Sequence, residues 1–320
     1  MKKIKILISH RERRTVIQSD ILQPIQTGCD EVSCRFPDML HDNDGPNISD
    51  QNAKYCEFTA IYWAWKNYDK LGNPDYIGLM HNRRHLLFNQ SLPVPDEKMT
   101  WLEPKGSVYL FPPICPKYMP YIADEAISSY FPKYDVLVIG PQEFVPTKYD
   151  TIYPGPIMKT RYLNTAGTEK RFFDIFEKTV CQYAPEYTEE LNKFLSGNIM
   201  YLCNIFVMRK DLFMQYCKFI FPLLEKIDSQ VDSRDFPPAK KRFLGYLGEY
   251  LTTLFIFRLK KNPQINIKEL KASFIMEKNK KEYIKLYRYA LMGICSSSYR
   301  KKYCFLRKKL NIFKWGNKNA

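Results

Sequence analysis

The chain has no apolar run of about 18 residues or more, so no segment of it is long enough to cross a bilayer as a helix. It also has no His-Glu-x-x-His, no Gly-x-Gly-x-x-Gly and no Walker-type loop. Zinc proteolysis, dinucleotide redox chemistry and P-loop hydrolysis therefore have no motif to rest on. The nine cysteines, at positions 29, 34, 56, 115, 181, 203, 217, 295 and 304, form no Cys-x-x-Cys pair and show no metal-ligand spacing to histidine. An odd, scattered set in mostly apolar surroundings reads as reduced thiols of a cytoplasmic protein. The opening run from Ile4 to Ser9 is too brief for a signal peptide and is followed by Arg11, Arg13 and Arg14, so it reads as a first strand. Internal repeats and low-complexity linkers are absent as well.

What is present describes a globular body of 320 residues, 45% hydrophobic and 26% charged, large enough to bury a sizeable core. Its net charge of +15 is unevenly spread. Residues 278–320 hold 13 Lys or Arg against the single acid Glu282, which leaves only +3 for residues 1–277. The expected division is thus a main domain over 1–277 and a basic tail over 278–320. Ile284, Tyr287 and Leu291, then Tyr303, Leu306, Leu310 and Phe313, give the tail an amphipathic helical spacing.

Strand patterns fall at Lys3 to Ser9, Tyr76 to Met80, Ser107 to Phe111, Asp135 to Gly140 and Leu202 to Met208. Helical patterns fall at Glu169 to Tyr183, Glu189 to Leu195, Lys210 to Ile227 and Lys240 to Leu259, and Ser49 is placed to cap a further buried helix from about Asp50 to Tyr68. Alternation of this kind predicts an α/β fold, a twisted and mostly parallel sheet with helices on both faces.

The most informative stretch is Asp75-Tyr76-Ile77-Gly78-Leu79-Met80-His81-Asn82-Arg83-Arg84-His85, a buried-strand pattern running into five residues able to bind phosphate. Ligands collect outside the carboxyl ends of strands in open α/β sheets. Arg83 and Arg84 bring two permanent charges with forked donors, and His81 and His85 add imidazoles. The other reading, in which the arginines pair with surface carboxylates and the histidines are ordinary loop residues, stands equal on these residues alone.

Two upstream blocks accompany this motif: Asp42-Asn43-Asp44-Gly45-Pro46-Asn47-Ile48-Ser49-Asp50-Gln51-Asn52, and Tyr55-Cys56-Glu57-Phe58-Thr59-Ala60-Ile61-Tyr62-Trp63-Ala64-Trp65-Lys66-Asn67. Tyr201 to Met208 and Gly245-Tyr246-Leu247-Gly248-Glu249 follow downstream. Together they resemble a family of bacterial glycosyltransferases of capsule and lipopolysaccharide gene clusters, long described only as a domain of unknown function (DUF4422-type). The resemblance extends from near the start to about Leu259. Asn82 stands where the family usually has an aromatic residue, Cys203-Asn204-Ile205 replaces Tyr-Asn-Met, and Tyr250 stands where an Arg is common.

The resemblance implies a GT-A-like nucleotide-diphospho-sugar transferase fold and transfer of a sugar, from a UDP-linked donor such as UDP-galactofuranose, to a polysaccharide or lipid-linked acceptor. It also favours an anionic membrane surface over nucleic acid as the partner of the tail, and so a cytoplasmic enzyme peripheral to the inner membrane. Such chemistry needs a counter-charge for the departing diphosphate and a base for the acceptor hydroxyl. Arg83 and Arg84, helped by His81, are expected to supply the first in place of a metal, with Asp42, Asn52 and Glu57 counted beside them at the donor. The literal Asp-x-Asp at Asp42 to Asp44 sits in a turn-forming Asn/Gly/Pro run, so metal binding there is not favoured and no cofactor is expected. Glu57 either supports an arginine of the following loop or contacts the sugar. Glu249 is the choice for the base, against a plain ion pair with Lys241 or Arg258. Asn204 and His85 are candidate acceptor or sugar contacts. Phosphosugar or phosphocholine transfer, and a non-enzymatic lipid- or nucleic-acid-binding module, remain the alternatives.

Overall fold

The computed structural model describes residues 2–95, 107–144, 158 and 169–275. The basic tail and the Pro-rich connection from Pro146 to Pro156 lie outside the described residues.

The strands are β1 (Ile4–His10), β2 (Leu22–Gln26), β3 (Leu40–His41), β4 (Tyr76–His81), β5 (Val108–Phe111), β6 (Val136–Ile139), β7 (Gln142–Glu143), β8 (Ile199–Met200), β9 (Phe206–Arg209), β10 (Ile267–Leu270) and β11 (Ala272–Ile275). Seven of them form one sheet in the order β10-β6-β9-β4-β1-β2-β3. Only β9 runs antiparallel to its neighbours, β4 and β6. β1 is paired in parallel with both β2 and β4, so the first strand is central rather than an edge. The chain moves outward from β1 through β2 to β3 and then crosses back to the other side of β1 as β4. That reversal is the topological switch point at which open α/β sheets bind ligands.

Side chains of the central strands are buried on both faces, as a covered parallel sheet requires. Leu7, Ile77, Leu79, Val136, Val138 and Phe206 enter one core, and Ile6, Ile8, Met80, Leu137, Ile139 and Val207 the other. The helices are α1 (Asn52–Tyr55), α2 (Phe58–Lys66), α3 (Asp124–Ser128), α4 (Lys170–Tyr183), α5 (Thr188–Ser196), α6 (Lys210–Asp228), α7 (Pro238–Lys241) and α8 (Phe243–Lys260). Their split between the faces is unequal: α2, α4, α5, α6 and α8 all pack on the first core. The second core is closed by residues 86–88, the short α3 and the parallel pair β5–β11. The strand expected at 107–111 therefore exists but belongs to a separate two-stranded sheet.

The single helix expected over 50–68 is broken. A 3-10 turn at Ser49–Gln51 leads into α1, which ends at Cys56, whose φ of 53° lies in the left-handed region, and α2 starts afresh at Phe58. Ser49 does not cap the helix: its hydroxyl bonds the Asp42 carboxylate and accepts the Asp30 amide. The strand expected from Leu202 begins only at Phe206, because Cys203 and Asn204, with φ of 69° and 50°, form a left-handed turn.

The glycines of α8 mark close approach. A Cβ at Gly248 would lie 2.2 Å from a ring carbon of Phe58, and one at Gly245 would lie 2.8 Å from the Cys56 sulfur. Phe58 is fully buried, so its ring can yield only by displacing other core side chains. Gly248→Ala is therefore expected to lower stability by about 1–3 kcal/mol despite the higher helix propensity of alanine. A urea titration in which the variant matched or exceeded the parent would contradict this packing.

Candidate functional site

A cleft of about 810 Å³ opens at the carboxyl ends of β1, β2 and β4 and is bounded on the far side by residues of α1, α7 and the turn before α8. Its lining includes the cations Arg11, Arg14, Arg83, Lys241 and Arg242 and the carboxylates Glu12, Glu31 and Glu57. A site with that excess of guanidinium and ammonium groups suits an anion with several oxygens.

The β4 side is built by a tight turn. The amide of His81 donates to the carbonyl of Arg84, and the amide of Arg84 donates back to the carbonyl of His81, each at 3.0 Å. Asn82 extends the ladder to β1 by donating its amide to the Ser9 carbonyl at 3.1 Å. Arg83 lines the cleft, and its Nε donates to the Ile275 carbonyl at 3.1 Å. The ring of Phe274 underlies both guanidinium groups, at 4.5 Å from that of Arg83 and 5.1 Å from that of Arg84, a cation–π arrangement that holds them side by side.

His81 also lines the cleft, with Nε2 against the Cys203 carbonyl. A carbonyl only accepts, so Nε2 carries the hydrogen. Burial lowers the pKa of His81, against the opposing pull of the nearby Glu57 carboxylate. His85 takes the other direction: it is fully buried in the second core, where Nδ1 meets the Tyr118 hydroxyl at 2.8 Å, and it does not line the cleft. Its pKa falls to about 3, chiefly through burial.

On the β2 side, a left-handed Gly28 (φ 65°) turns the chain under Arg11. Arg11 donates to the Gly28 carbonyl at 2.7 Å and pairs with Glu31 at 2.8 Å, and Glu31 in turn accepts the Ala53 amide at 2.8 Å. Asp42 lies beneath this turn, fully buried, accepting the amides of Gly28 and Cys29 at 2.7 and 3.1 Å together with the Ser49 hydroxyl. It therefore shapes the cleft from behind rather than facing it. Asp44 is paired with Lys70 at 3.0 Å and lies outside the lining. Among the described residues no group of three or more His, Cys, Asp or Glu could hold a metal ion.

Asn52 lines the cleft and bonds inward, donating Nδ2 to the Cys56 carbonyl at 2.7 Å and to the Thr59 hydroxyl at 2.9 Å. Glu57 follows the strained Cys56 into the cleft. Its Oε1 accepts from Asn204 Nδ2 at 2.7 Å and lies 4.0 Å from His81 Nε2, so its bonded partner is Asn204 and not an arginine of the following loop, the first of its two expected roles. Asn204 is buried, and its Oδ1 accepts from the Thr252 hydroxyl at 2.8 Å, which also meets the Tyr216 hydroxyl at 2.8 Å.

Glu249 lies on α8 outside the cleft lining, near enough to the thiols of Cys56 and Cys203 for its charge to raise both pKa values, which burial already pushes up. Arg258, one expected partner, is engaged with Glu190 and the Glu186 carbonyl. The structure thus brings together His81, Arg83, Asn52, Glu57 and, behind them, Asn204. Asp42 underlies the cleft, Arg84 flanks it, and His85 and Glu249 stand apart from its lining. Arg11, Arg14, Glu31, Lys241 and Arg242 were not named as site residues from the sequence. The basic run directly after a first strand was the available signal for the two arginines.

The family model described as "Domain of unknown function (DUF4422)" matches residues 5–262. No curated protein matches the chain. Among solved structures, the apo form of the WbbM bifunctional glycosyltransferase is similar at a TM-score of 0.72 and 28% identity, over 86% of this chain and 46% of that one. The chain thus spans less than half of that protein's length. The similarity supports a GT-A-like fold for the matched region.

Proposed function

The chain belongs to the family described as a domain of unknown function (DUF4422), whose model spans most of it, and from its similarity to a glycosyltransferase structure we propose that it is a glycosyltransferase whose nucleotide-diphosphate sugar binds in the cleft at the ends of β1 and β4. The observation that carries this reading is the placement of Arg11, Arg14 and Arg83 around the switch point of the sheet. Fixed guanidinium groups there can neutralise a departing diphosphate without the reorganisation that water would need. Arg83, with Arg84 beside it on Phe274, takes the part that a divalent metal plays in many related folds. UDP-sugars, UDP-galactofuranose among them, are the first donors to test, with a growing capsular or lipopolysaccharide chain as the acceptor class. Residues 278–320, with +12 of the net charge, are assigned to an anionic membrane surface at the inner face of the membrane. No helix among the described residues is long and apolar enough to cross a membrane.

Thermal melting with UDP, GDP and CMP, each in manganese and in EDTA, tests the reading. A nucleotide at about 100 times its dissociation constant adds roughly 2.7 kcal/mol of stability. Stabilisation by UDP in EDTA, lost in Arg83→Ala, is the expected result. Stabilisation that needed manganese would replace the arginine assignment with a metal, and no shift with any nucleotide would remove the donor site. Truncation after Glu277 is expected to keep nucleotide binding and to abolish sedimentation with anionic vesicles. A truncated chain that lost nucleotide binding instead would overturn the division of roles.

A further inference from the structure

Resting on that reading of the cleft, we propose that Glu57, and not Glu249, is the base that takes the proton of the acceptor hydroxyl. The carboxylates around the cleft differ in what their oxygens already do. Both oxygens of Asp42 are spent on Gly28, Cys29 and Ser49 inside the protein, and both oxygens of Glu31 are engaged by Arg11 and the Ala53 amide. Glu12 is paired with Arg14 and its side chain is 75% exposed, so nothing fixes it on a reacting atom. Glu249 does not line the cleft.

Glu57 combines the remaining requirements. It lines the cleft with a side chain only 13% exposed. Asn204 holds Oε1, while Oε2 has no hydrogen bond to any described residue. The hold is itself fixed: Asn204 Oδ1 accepts from the Thr252 hydroxyl, which in turn accepts from the Tyr216 hydroxyl, and all three side chains are buried. A carboxylate oriented through one oxygen and open at the other is the arrangement that general-base catalysis needs.

Backbone strain gathers at the same point. Cys56, directly before Glu57, and Cys203 and Asn204, which present its partner, are three of the four non-glycine residues with positive φ among the described residues. Such conformations are unfavourable for residues other than glycine and persist where the surrounding structure imposes them. Here they place Glu57 beside the cations that would receive the diphosphate.

In the step this assigns, the acceptor oxygen forms a bond to the anomeric carbon as the bond from that carbon to the diphosphate oxygen breaks. The electron pair leaves with the nucleoside diphosphate, and the acceptor proton passes to Glu57 Oε2. One displacement of this kind inverts the anomeric configuration. His81 acts as a positioning residue, its ring anchored to the Cys203 carbonyl within 4.0 Å of the carboxylate.

The test is Glu57→Gln, whose amide oxygen can still accept from Asn204 but cannot take a proton. Release of UDP from UDP-hexoses would be followed with water or octyl β-galactoside as acceptor, beside UDP-induced thermal stabilisation. Turnover should fall on the order of 10²- to 10⁴-fold with the donor KM and UDP stabilisation unchanged. Formate should restore part of the turnover of Glu57→Ala, and the product of the parent enzyme should have inverted configuration. Turnover of Glu57→Gln within tenfold of the parent would overturn the assignment. So would an equal loss of UDP binding, which would make Glu57 a donor contact, or a sugar found covalently attached to Glu57. Should Glu57→Gln fail to fold, Glu57→Asp replaces it, with turnover reduced but pH-dependent as in the parent. If the parent neither binds nor cleaves any nucleotide sugar, the glycosyltransferase reading itself falls, and this inference with it.

Discussion

Between pH 7 and pH 5 the fold is expected to lose about 2 kcal/mol of stability for each of two buried histidines, His10 and His85. Both are fully buried, and burial lowers their pKa values to about 4 and about 3. For His10 the charge of Asp38 opposes the shift without cancelling it. Neither ring nitrogen of His10 has a hydrogen-bond partner, and Nε2 of His85 has none either. A proton added to either ring would be a charge withdrawn from water, and for His10 the nearby Asp38 offsets only part of that cost. In the unfolded chain both titrate near 6.5, so below that pH the unfolded state binds more protons than the folded one. Stability is therefore fully present above pH 6.5 and declines as the pH falls, until it levels off near the folded pKa values. The carboxylates held below their usual range by ion pairs, such as Asp38 and Asp232, act at lower pH and leave the window from 7 to 5 to the histidines. Urea midpoints at constant m-value would measure it, and a flat profile between pH 7 and 5 would refute the burial of these rings.

Replacement of Asp42 by alanine is expected to cost about 3–5 kcal/mol. The carboxylate is fully buried and accepts from two backbone amides and one hydroxyl. Its loss strands the amides of Gly28 and Cys29, each worth roughly 1–3 kcal/mol when buried and unpaired. Those amides belong to the left-handed turn whose carbonyl holds Arg11. The variant should therefore also lose affinity for UDP, and should do so equally in manganese and EDTA. Recovery of stability on adding manganese to the parent protein alone would return Asp42 to the role of metal ligand. Asp42→Asn is the milder companion, since one oxygen remains to accept from the turn.

Much of this fold could be read locally. The run Tyr76 to Met80 is apolar throughout and ends in polar residues, and it forms β4 almost to the residue. Gly245 and Gly248 inside a helical pattern signalled a close neighbour, which proved to be Cys56 and Phe58. What escaped local reading depends on contacts distant in the chain. Nothing about Cys56 announces a positive φ, because its conformation is imposed by Asn52, Thr59 and the packing of α8. Arg11 and Arg14 join the site only because β1 lies between β2 and β4, a matter of strand order. His81 and His85 looked equivalent in sequence. The tight turn that bonds His81 to Arg84 reverses the chain between them, and leaves one ring in the cleft and the other in the core.

The pairing of Arg83 with Ile275 has a consequence for how the protein comes into being. The amide of Ile275 donates to the Arg83 carbonyl at 2.7 Å and the Arg83 side chain donates back, across 192 residues of sequence. Synthesis proceeds from the amino terminus, so a nascent chain has made β1, β4 and both arginines long before Phe274 and Ile275 leave the ribosome. During that interval the Arg83 backbone has no strand to pair with and its guanidinium no ring to rest on. The Arg83 wall of the cleft is thus completed only once the final described strand has been made.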